Sequence, residues 1–384
     1  MNRTNAAVAS PAVTVNARFV RQAFTGVQRY CSELVRRLPI ASLVAPAPPL
    51  AAYEGLDVHL TTQGAAMPGH LWEQVVLPGA LPRRALLWSP AGSGPLAVAN
   101  QVLTIHDVAH LTHPEWYSRP FTAWYRLLLP LLSRRVRRIL TVSEFSRRQI
   151  LRVLRPAPER VVAVPLGVDR RFRRKPAAEL ATRLQQLGVE EPYLLAVAAV
   201  SPRKNFRRLY ETWRGLAGSL DGVSLVVVGK TGLAFSGDAS RGTLPVRTRV
   251  FEQVADEDLV DLYNGALAFV YPSLYEGFGL PVLEAMACGT PVVTADRTSL
   301  PEAAGDAAIL VDPYNTDAIG RGIRRVIEDA PLREDLRRRG LARAATFTWE
   351  RTAAQTWKVL QAAAEPRPAA DASALLPLDA RQRR

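Results

Sequence analysis

Short apolar, β-branched runs alternate with longer stretches of helical period along the whole chain. In the first half, Ala85–Trp88, Gln101–Ile105, Arg138–Val142 and Arg160–Val164 predict strands, each closed within two residues by Ser, Pro or Asp, which stop strands and start turns. Between them, Phe121–Val136 is an apolar stripe broken by Pro130 and ending in a cluster of Arg. The second half starts afresh, with strands predicted at Tyr193–Val197, Ser224–Val228, Arg249–Phe251, Ala266–Tyr271 and Pro291–Thr294, and helices at Asn205–Leu216 and Leu280–Ala287. Strands alternating with helical patterns are the signature of βαβ units around parallel sheets, so the fold class is α/β.

The pattern breaks at Pro165-Leu166-Gly167-Val168-Asp169, followed by the basic run Arg170–Lys175 and Pro176. A charged, turn-rich segment of this kind is where few contacts cross, so a hinge is expected there. The 384 residues then divide into a first domain over 1–168, a hinge over 169–190, a second domain over 191–345 and a helix over 346–364 expected to pack back on the first domain. Beyond it, 365–384 is Pro/Ala/Asp/Arg-rich without period and reads as a disordered basic tail. Open parallel sheets bind ligands at the carboxyl ends of their strands. Two such sheets facing each other therefore suit a two-substrate transferase.

Composition narrows the partners only slightly. Apolar residues make up 48% and charged residues 22%, a globular balance that excludes general disorder. Cys31 and Cys288 are the only cysteines and neither has zinc-ligand spacing, so no disulfide or zinc framework is expected. The net charge of +14 permits nucleic acid, anionic membrane or phosphorylated small molecules. Four of the 49 basic residues are Lys, which makes Lys204 notable as a point-charge phosphate binder. The start of the chain carries no apolar run of signal-peptide length and no segment reaches about 18 consecutive apolar residues. A cytoplasmic chain is the expectation, with Phe121–Arg135, apolar and aromatic with a basic end, expected to lie peripherally on an anionic membrane face.

The chemistry concentrates in Tyr271-Pro272-Ser273-Leu274-Tyr275-Glu276-Gly277-Phe278-Gly279-Leu280-Pro281-Val282-Leu283-Glu284. A strand runs into a Gly-x-Gly turn and then a helix whose first turn takes Pro281, while Gly289 suits its C-terminal cap. Free N–H groups at that helix start stand beside two glycines, where an anion can approach closely. Glu276 precedes the turn and Glu284 lies one turn inside the helix, a spacing that can aim both carboxylates at one cleft. A lone Glu pair is ordinarily a cap and a solvated charge; the ordered Gly, Pro and Glu positions together point to a site.

This string resembles the E-x7-E signature of the retaining glycosyltransferases of family GT4, which have the GT-B fold of two Rossmann-like domains facing across a cleft. The resemblance runs through Thr25-Gly26-Val27-Gln28-Arg29-Tyr30, Thr104-Ile105-His106-Asp107, Thr141-Val142-Ser143-Glu144-Phe145-Ser146, Val164–Asp169 and Ser201-Pro202-Arg203-Lys204-Asn205 in order. It implies a hexosyltransferase of polysaccharide synthesis, acting from a nucleotide-sugar donor, with GDP-mannose first and UDP- or dTDP-sugars as alternatives, on a glycan or lipid-linked acceptor. In that reading Glu276 and His106 are the catalytic positions. Glu284 holds the donor ribose, Arg203 and Lys204 neutralise its diphosphate, and Gly277, Phe278, Gly279, Leu280 and Gly229 complete the donor site. Gly26 and Val27 form a diphosphate and acceptor loop, and Ser143 sits on the acceptor side. Base recognition falls to the loop after Gly229 and to Phe251–Val254, neither of which carries a signature for one base. One departure is that Ala198 and Ala199 stand where many members carry a further Arg. The family implies front-face transfer and neither cofactor nor metal.

Two imitations are set aside. His106-Asp107-Val108-Ala109-His110 mimics the zinc helix H-E-x-x-H, but a strand ends at Ile105 and Pro114 follows soon after, so the two His are not expected on one helical face. Asp256-Glu257-Asp258 mimics a metal-binding D-x-D, but it opens an amphipathic helix and reads as N-terminal capping and dipole pairing. A nucleic-acid-binding protein is ranked below, since the Arg residues are spread without a recognisable module, and no partner nucleic acid is expected. An NAD-dependent dehydrogenase is ranked below as well, since no strand leads into G-x-G-x-x-G.

Overall fold

The structure is a computed structural model and describes residues 12–53, 56, 60–62, 67–197, 201–220, 222–229 and 244–365. Its first sheet contains β1 (Val13–Asn16), β2 (Ser42–Ala45), β3 (Leu60–Thr62), β4 (Leu86–Ser89), β5 (Gln101–Thr104), β6 (Arg138–Thr141) and β7 (Val161–Ala163). The second contains β8 (Tyr193–Val197), β9 (Ser224–Val228), β10 (Thr248–Phe251), β11 (Ala268–Tyr271), β12 (Val292–Ala295) and β13 (Ala308–Val311). Every pairing is parallel, in the orders 3-2-1-4-5-6-7 and 10-9-8-11-12-13. Both orders reverse beside their first strand, at β1 with β4 and at β8 with β11. Such switch points open a crevice at the carboxyl ends. The central strands are buried on both faces, which is why they read as continuous Val/Leu/Ile runs rather than alternating ones.

The expected hinge over 169–190 is corrected in part. Residues Ala177–Gln186 form a helix, with Leu180 and Leu184 buried, and it packs on the helix Asp256–Gly265 of the second domain. The crossing between domains is therefore narrower and double. Val168 donates its N–H to Phe347 O at 3.0 Å and bridges Thr348 in parallel, so the outgoing and returning chains lie side by side. Gly167 permits this approach, because a Cβ there would stand 2.2 Å from Trp349 N. The returning chain continues as the helix Trp349–Ala364, which packs on the helix Gly26–Arg37 and on β4, β5 and β6 of the first domain. Its Trp349 and Leu360 are buried, and Thr352 Oγ1 donates to Pro165 O at 2.8 Å. The expected tail beyond residue 365, the departure at Ala198 and Ala199 and the loop following Gly229 lie outside the described residues.

No described helix is long and apolar enough to cross a membrane. The stripe Phe121–Arg135 lies in the helix Arg119–Arg135, which divides by face. Tyr125, Leu128, Leu129 and Leu132 are buried in the first domain, while Phe121, Leu127 and Leu131 are 38%, 65% and 44% exposed.

Candidate active site

The functional side chains collect where the two sets of strand ends face each other. Glu276 follows β11, and Arg203 with Lys204 follows β8 in a single 3-10 turn, Pro202–Lys204. Asn205 ends that turn in the left-handed conformation, φ +63°, and its buried amide donates to Pro272 O at 2.9 Å and Pro313 O at 2.7 Å. Three loops are thereby tied together, and Arg203 O accepts from Leu274 N at 2.7 Å. Asn205 thereby positions Arg203 and Lys204, and in the sequence an Asn just before an apolar helix is its only signal.

Lys204 Nζ lies 2.7 Å from Glu276 Oε1, and both Lys204 and Glu276 bond the Tyr271 hydroxyl, which donates to the carboxylate at 2.8 Å. Burial favours the neutral acid, but Lys204 and then Arg203 outweigh it and hold the Glu276 carboxyl below its usual range. Burial draws the Lys204 amine down from its ordinary value against the pull of Glu276. Arg203 pairs across the cleft with Asp107 at 3.6 Å; burial opposes its charge, but Glu276 and Asp107 more than compensate. The result is a half-buried pair of cations between the Glu276 carboxylate of one cleft wall and the Asp107 carboxylate of the other. Tyr117 joins them from the first domain, its hydroxyl pushed up to about 12 by burial and by Asp107.

His106 lies at the end of β5, its Nε2 2.9 Å from Pro90 O and its ring edge-on to Tyr30. A carbonyl only accepts, so Nε2 carries the proton and Nδ1 is left as an acceptor. Burial pushes the ring below its ordinary value, which keeps it neutral. Gly277 meets this strand end directly: a Cβ would stand 2.9 Å from His106 O, so a side chain would pry the domains apart. Gly279, at φ +107°, turns the chain into the helix Leu280–Ala287, and a Cβ there would strike Leu300 at 2.8 Å. Phe278 is buried against Phe347, Leu280 is half-buried, and Gly229 closes β9 with its N–H on Phe251 O at 2.7 Å.

Glu284 is buried apart from the Lys204 cluster. Burial pushes its carboxyl up to about 7; Arg29 opposes this, while Asp256 and Asp169 add to it. Gly26 opens the helix Gly26–Arg37 exposed, with Val27 half-buried behind it; no side chain caps that end, and a Cβ on Gly26 would meet nothing within 4 Å.

Ser143, expected on the acceptor side, follows β6 of the first sheet. It is fully buried; its hydroxyl donates to Gly277 O at 2.6 Å and accepts from Ser146 N at 2.9 Å, so it caps a helix and ties the two domains. The capping role expected of Asp256 is corrected. Ala255 is the N-cap and no side chain caps it; Asp256 pairs with Arg29 at 3.2 Å and with Arg171, and Asp258 with Arg183 at 2.7 Å. Within the zinc imitation, His110 packs against Tyr117, Phe121 and Tyr125, and among the described residues no three His, Cys, Asp or Glu gather as a metal cage.

Comparison with known proteins places these features. Residues 24–172 match the family described as Glycosyltransferase Family 4, and residues 182–343 match Glycosyl transferases group 1. O-antigen chain mannosyltransferase B of Escherichia coli is 37% identical over 68% of this chain and 70% of its own length. The serotype-specific mannosyltransferase WbdA of Escherichia coli is 30% identical over 66% of this chain but only 32% of its own length. The crystal structure of Anabaena HepE in complex with UDP-glucose is 19% identical, covers 92% of this chain and 99% of that one, and superposes with a TM-score of 0.72. That likeness shows the GT-B fold. With both halves matched in chain order and a relative aligned over two thirds of each sequence, the protein belongs to the group 1 glycosyltransferases of family GT4.

Proposed function

We propose that the protein transfers mannose from GDP-mannose, with retention of configuration, to a glycan or lipid-linked acceptor during surface polysaccharide synthesis in the cytoplasm. The observation that carries this reading is the half-buried pair Arg203 and Lys204, held beside Glu276 at the carboxyl ends of β8 and β11 and facing His106 and Asp107. A diphosphate leaving group develops negative charge, and fixed cations in a water-poor cleft stabilise it without reorganising. The uncapped N–H groups at Gly26 and Val27 offer a second positive end to the same anion. Glu284 receives the ribose hydroxyls, and His106 Nδ1 accepts a hydroxyl of the transferred sugar. The bond from the anomeric carbon to the phosphate oxygen breaks with its electron pair going to the diphosphate. The acceptor oxygen bonds the same face of that carbon, and its proton passes to the departing phosphate oxygen. The mannosyl assignment draws support from the relatives' names, with UDP- or dTDP-hexoses as the alternative donors. In a screen of GDP-, UDP- and dTDP-hexoses, GDP-mannose is expected to raise the melting temperature and to be turned over, with activity unchanged in EDTA because these cations carry the neutralisation. Turnover of a different donor would replace the sugar assignment, and loss in EDTA restored by Mg²⁺ or Mn²⁺ would replace the charge argument.

The exposed face of the helix Arg119–Arg135 suits peripheral contact with an anionic membrane. Leu127 and Leu131 project beside exposed Arg126, Arg134 and Arg135, and each Arg near an anionic surface contributes about 1 kcal/mol. The neighbouring helix Gly69–Val75 adds exposed Leu71 and Val75, its His70 ring lying 5.6 Å from Trp124. Co-sedimentation with anionic vesicles is expected at low salt, lost at high salt and lost in Leu127→Asp/Leu131→Asp. Equal binding to neutral vesicles, or none, would remove the membrane contact and leave the transferase reading intact.

A further inference from the structure

The helix Glu144–Leu154 begins, like any helix, with backbone N–H groups that no carbonyl of its own can accept. Ser143 Oγ satisfies Ser146 N. The N–H groups of Glu144 and Phe145 are satisfied from the other domain: Glu302 Oε1 accepts from Glu144 N at 2.9 Å and Oε2 from Phe145 N at 3.1 Å. One carboxylate thus caps a helix across the cleft, with its charge at the positive end of the dipole. The same helix start reaches back, since Ser143 Oγ and Ser146 Oγ both donate to Gly277 O, at 2.6 and 3.0 Å. Tyr275 packs beside them against Phe145 and His113 of the first domain.

Glu302 belongs to the short helix Leu300–Ala304, whose lead-in grips the Glu276 backbone. Ser299 Oγ donates to Glu276 O at 2.9 Å, and Leu300 fills the space that the missing Gly279 side chain leaves open. Arg343 fixes the other side of this short helix, donating to Glu302 O at 2.6 Å and Ala303 O at 3.0 Å. The contacts across the cleft and the grip on Glu276 and Gly277 therefore run through one small unit. We propose that Glu302 is a positioning residue that couples closure of the two domains to the placement of Glu276. This inference rests on the transferase reading for its kinetic consequence, though not for its structural one.

Because the donor-binding groups lie mainly on the second domain, an open cleft still binds donor but fails to assemble the reacting geometry. Glu302→Ala is accordingly expected to lower kcat about 10- to 100-fold, the cost of a small misplacement of reacting groups, while leaving the donor KM within about twofold. The share of donor lost to hydrolysis is expected to rise as water enters. Glu302→Gln keeps one acceptor oxygen and the side chain's length, and is expected to fall between Ala and wild type. Two readouts need no turnover: faster amide exchange at Glu144 and Phe145, and a larger radius of gyration by solution scattering. Faster exchange with kcat and the hydrolysis share unchanged would reduce Glu302 to a simple cap and overturn the proposal. Unchanged exchange and scattering would overturn it as well. If wild-type protein turned over no nucleotide-sugar, the transferase reading would fail, and these two readouts would still judge the closure contact.

Discussion

Lys204→Ala is expected to lower kcat for nucleotide-sugar turnover by about 10²- to 10³-fold, the usual cost of removing one preorganised donor to a developing anion. Lys204 does two jobs in the structure. Its ammonium supplies charge beside Arg203, and it anchors Glu276 Oε1 together with the Tyr271 hydroxyl. Without it Glu276 keeps Tyr271 and the field of Arg203, so the variant is expected to fold, with a stability loss on the order of 1–3 kcal/mol for a partly unpaired buried carboxylate. Steady-state kinetics beside thermal unfolding separate the two effects. Turnover within threefold of wild type would remove Lys204 from the site.

Glu284→Gln is expected to stabilise the free protein and weaken donor binding together. The folded carboxyl is pushed from its ordinary 4.5 up to about 7 by burial, so ionising it works against folding. That cost is absent below about pH 4.5, grows as pH rises to 7 and is complete above it, reaching about 3 kcal/mol at roughly 1.4 kcal/mol per pH unit. Gln removes the cost, so urea unfolding is expected to show a gain of that order at pH 8 and almost none at pH 4.5. Ribose hydroxyls donate to the ionised form, so wild-type donor affinity is expected to fall as pH drops below 7, by up to tenfold per unit, and the Gln variant is expected to lack that slope. A stability gain equal at both pH values would mean that packing, not charge, sets the strain at Glu284.

Much of the second domain is legible in the chain because its strands are buried on both faces and punctuated by Gly, Pro and Asp. Tyr193–Val197, Ser224–Val228 and Leu280–Ala287 fall on their predicted bounds. Edge strands read poorly: β13 is mostly half-exposed, with too little apolar pattern to stand out. The helix Ala177–Gln186 hides in a segment whose charges suggested a linker. The site is legible where a local string encodes it, as at Glu276 to Glu284. It is illegible where a contact joins distant segments: Ser143 and Gly277 are 134 positions apart, and Glu302 and Glu144 are 158 apart. Neither periodicity nor spacing records such pairs. The tie that Ser143 makes escapes the sequence for that reason, since its partner lies in the other half of the chain.

The return of the helix Trp349–Ala364 to the first domain sets an order of assembly during synthesis. Domains generally fold as units, the N-terminal one first as the chain leaves the ribosome. Here the first domain lacks one wall until its last sixteen-residue helix has been made, whereas the second is continuous from the crossing at Val168 to the return at Phe347 and can close its own core beforehand. The nascent first domain waits with the faces of β4, β5, β6 and the Gly26–Arg37 helix uncovered. A chain ended between residues 345 and 349 would carry a finished second domain beside a first domain with exposed apolar surface, prone to chaperone capture and proteolysis.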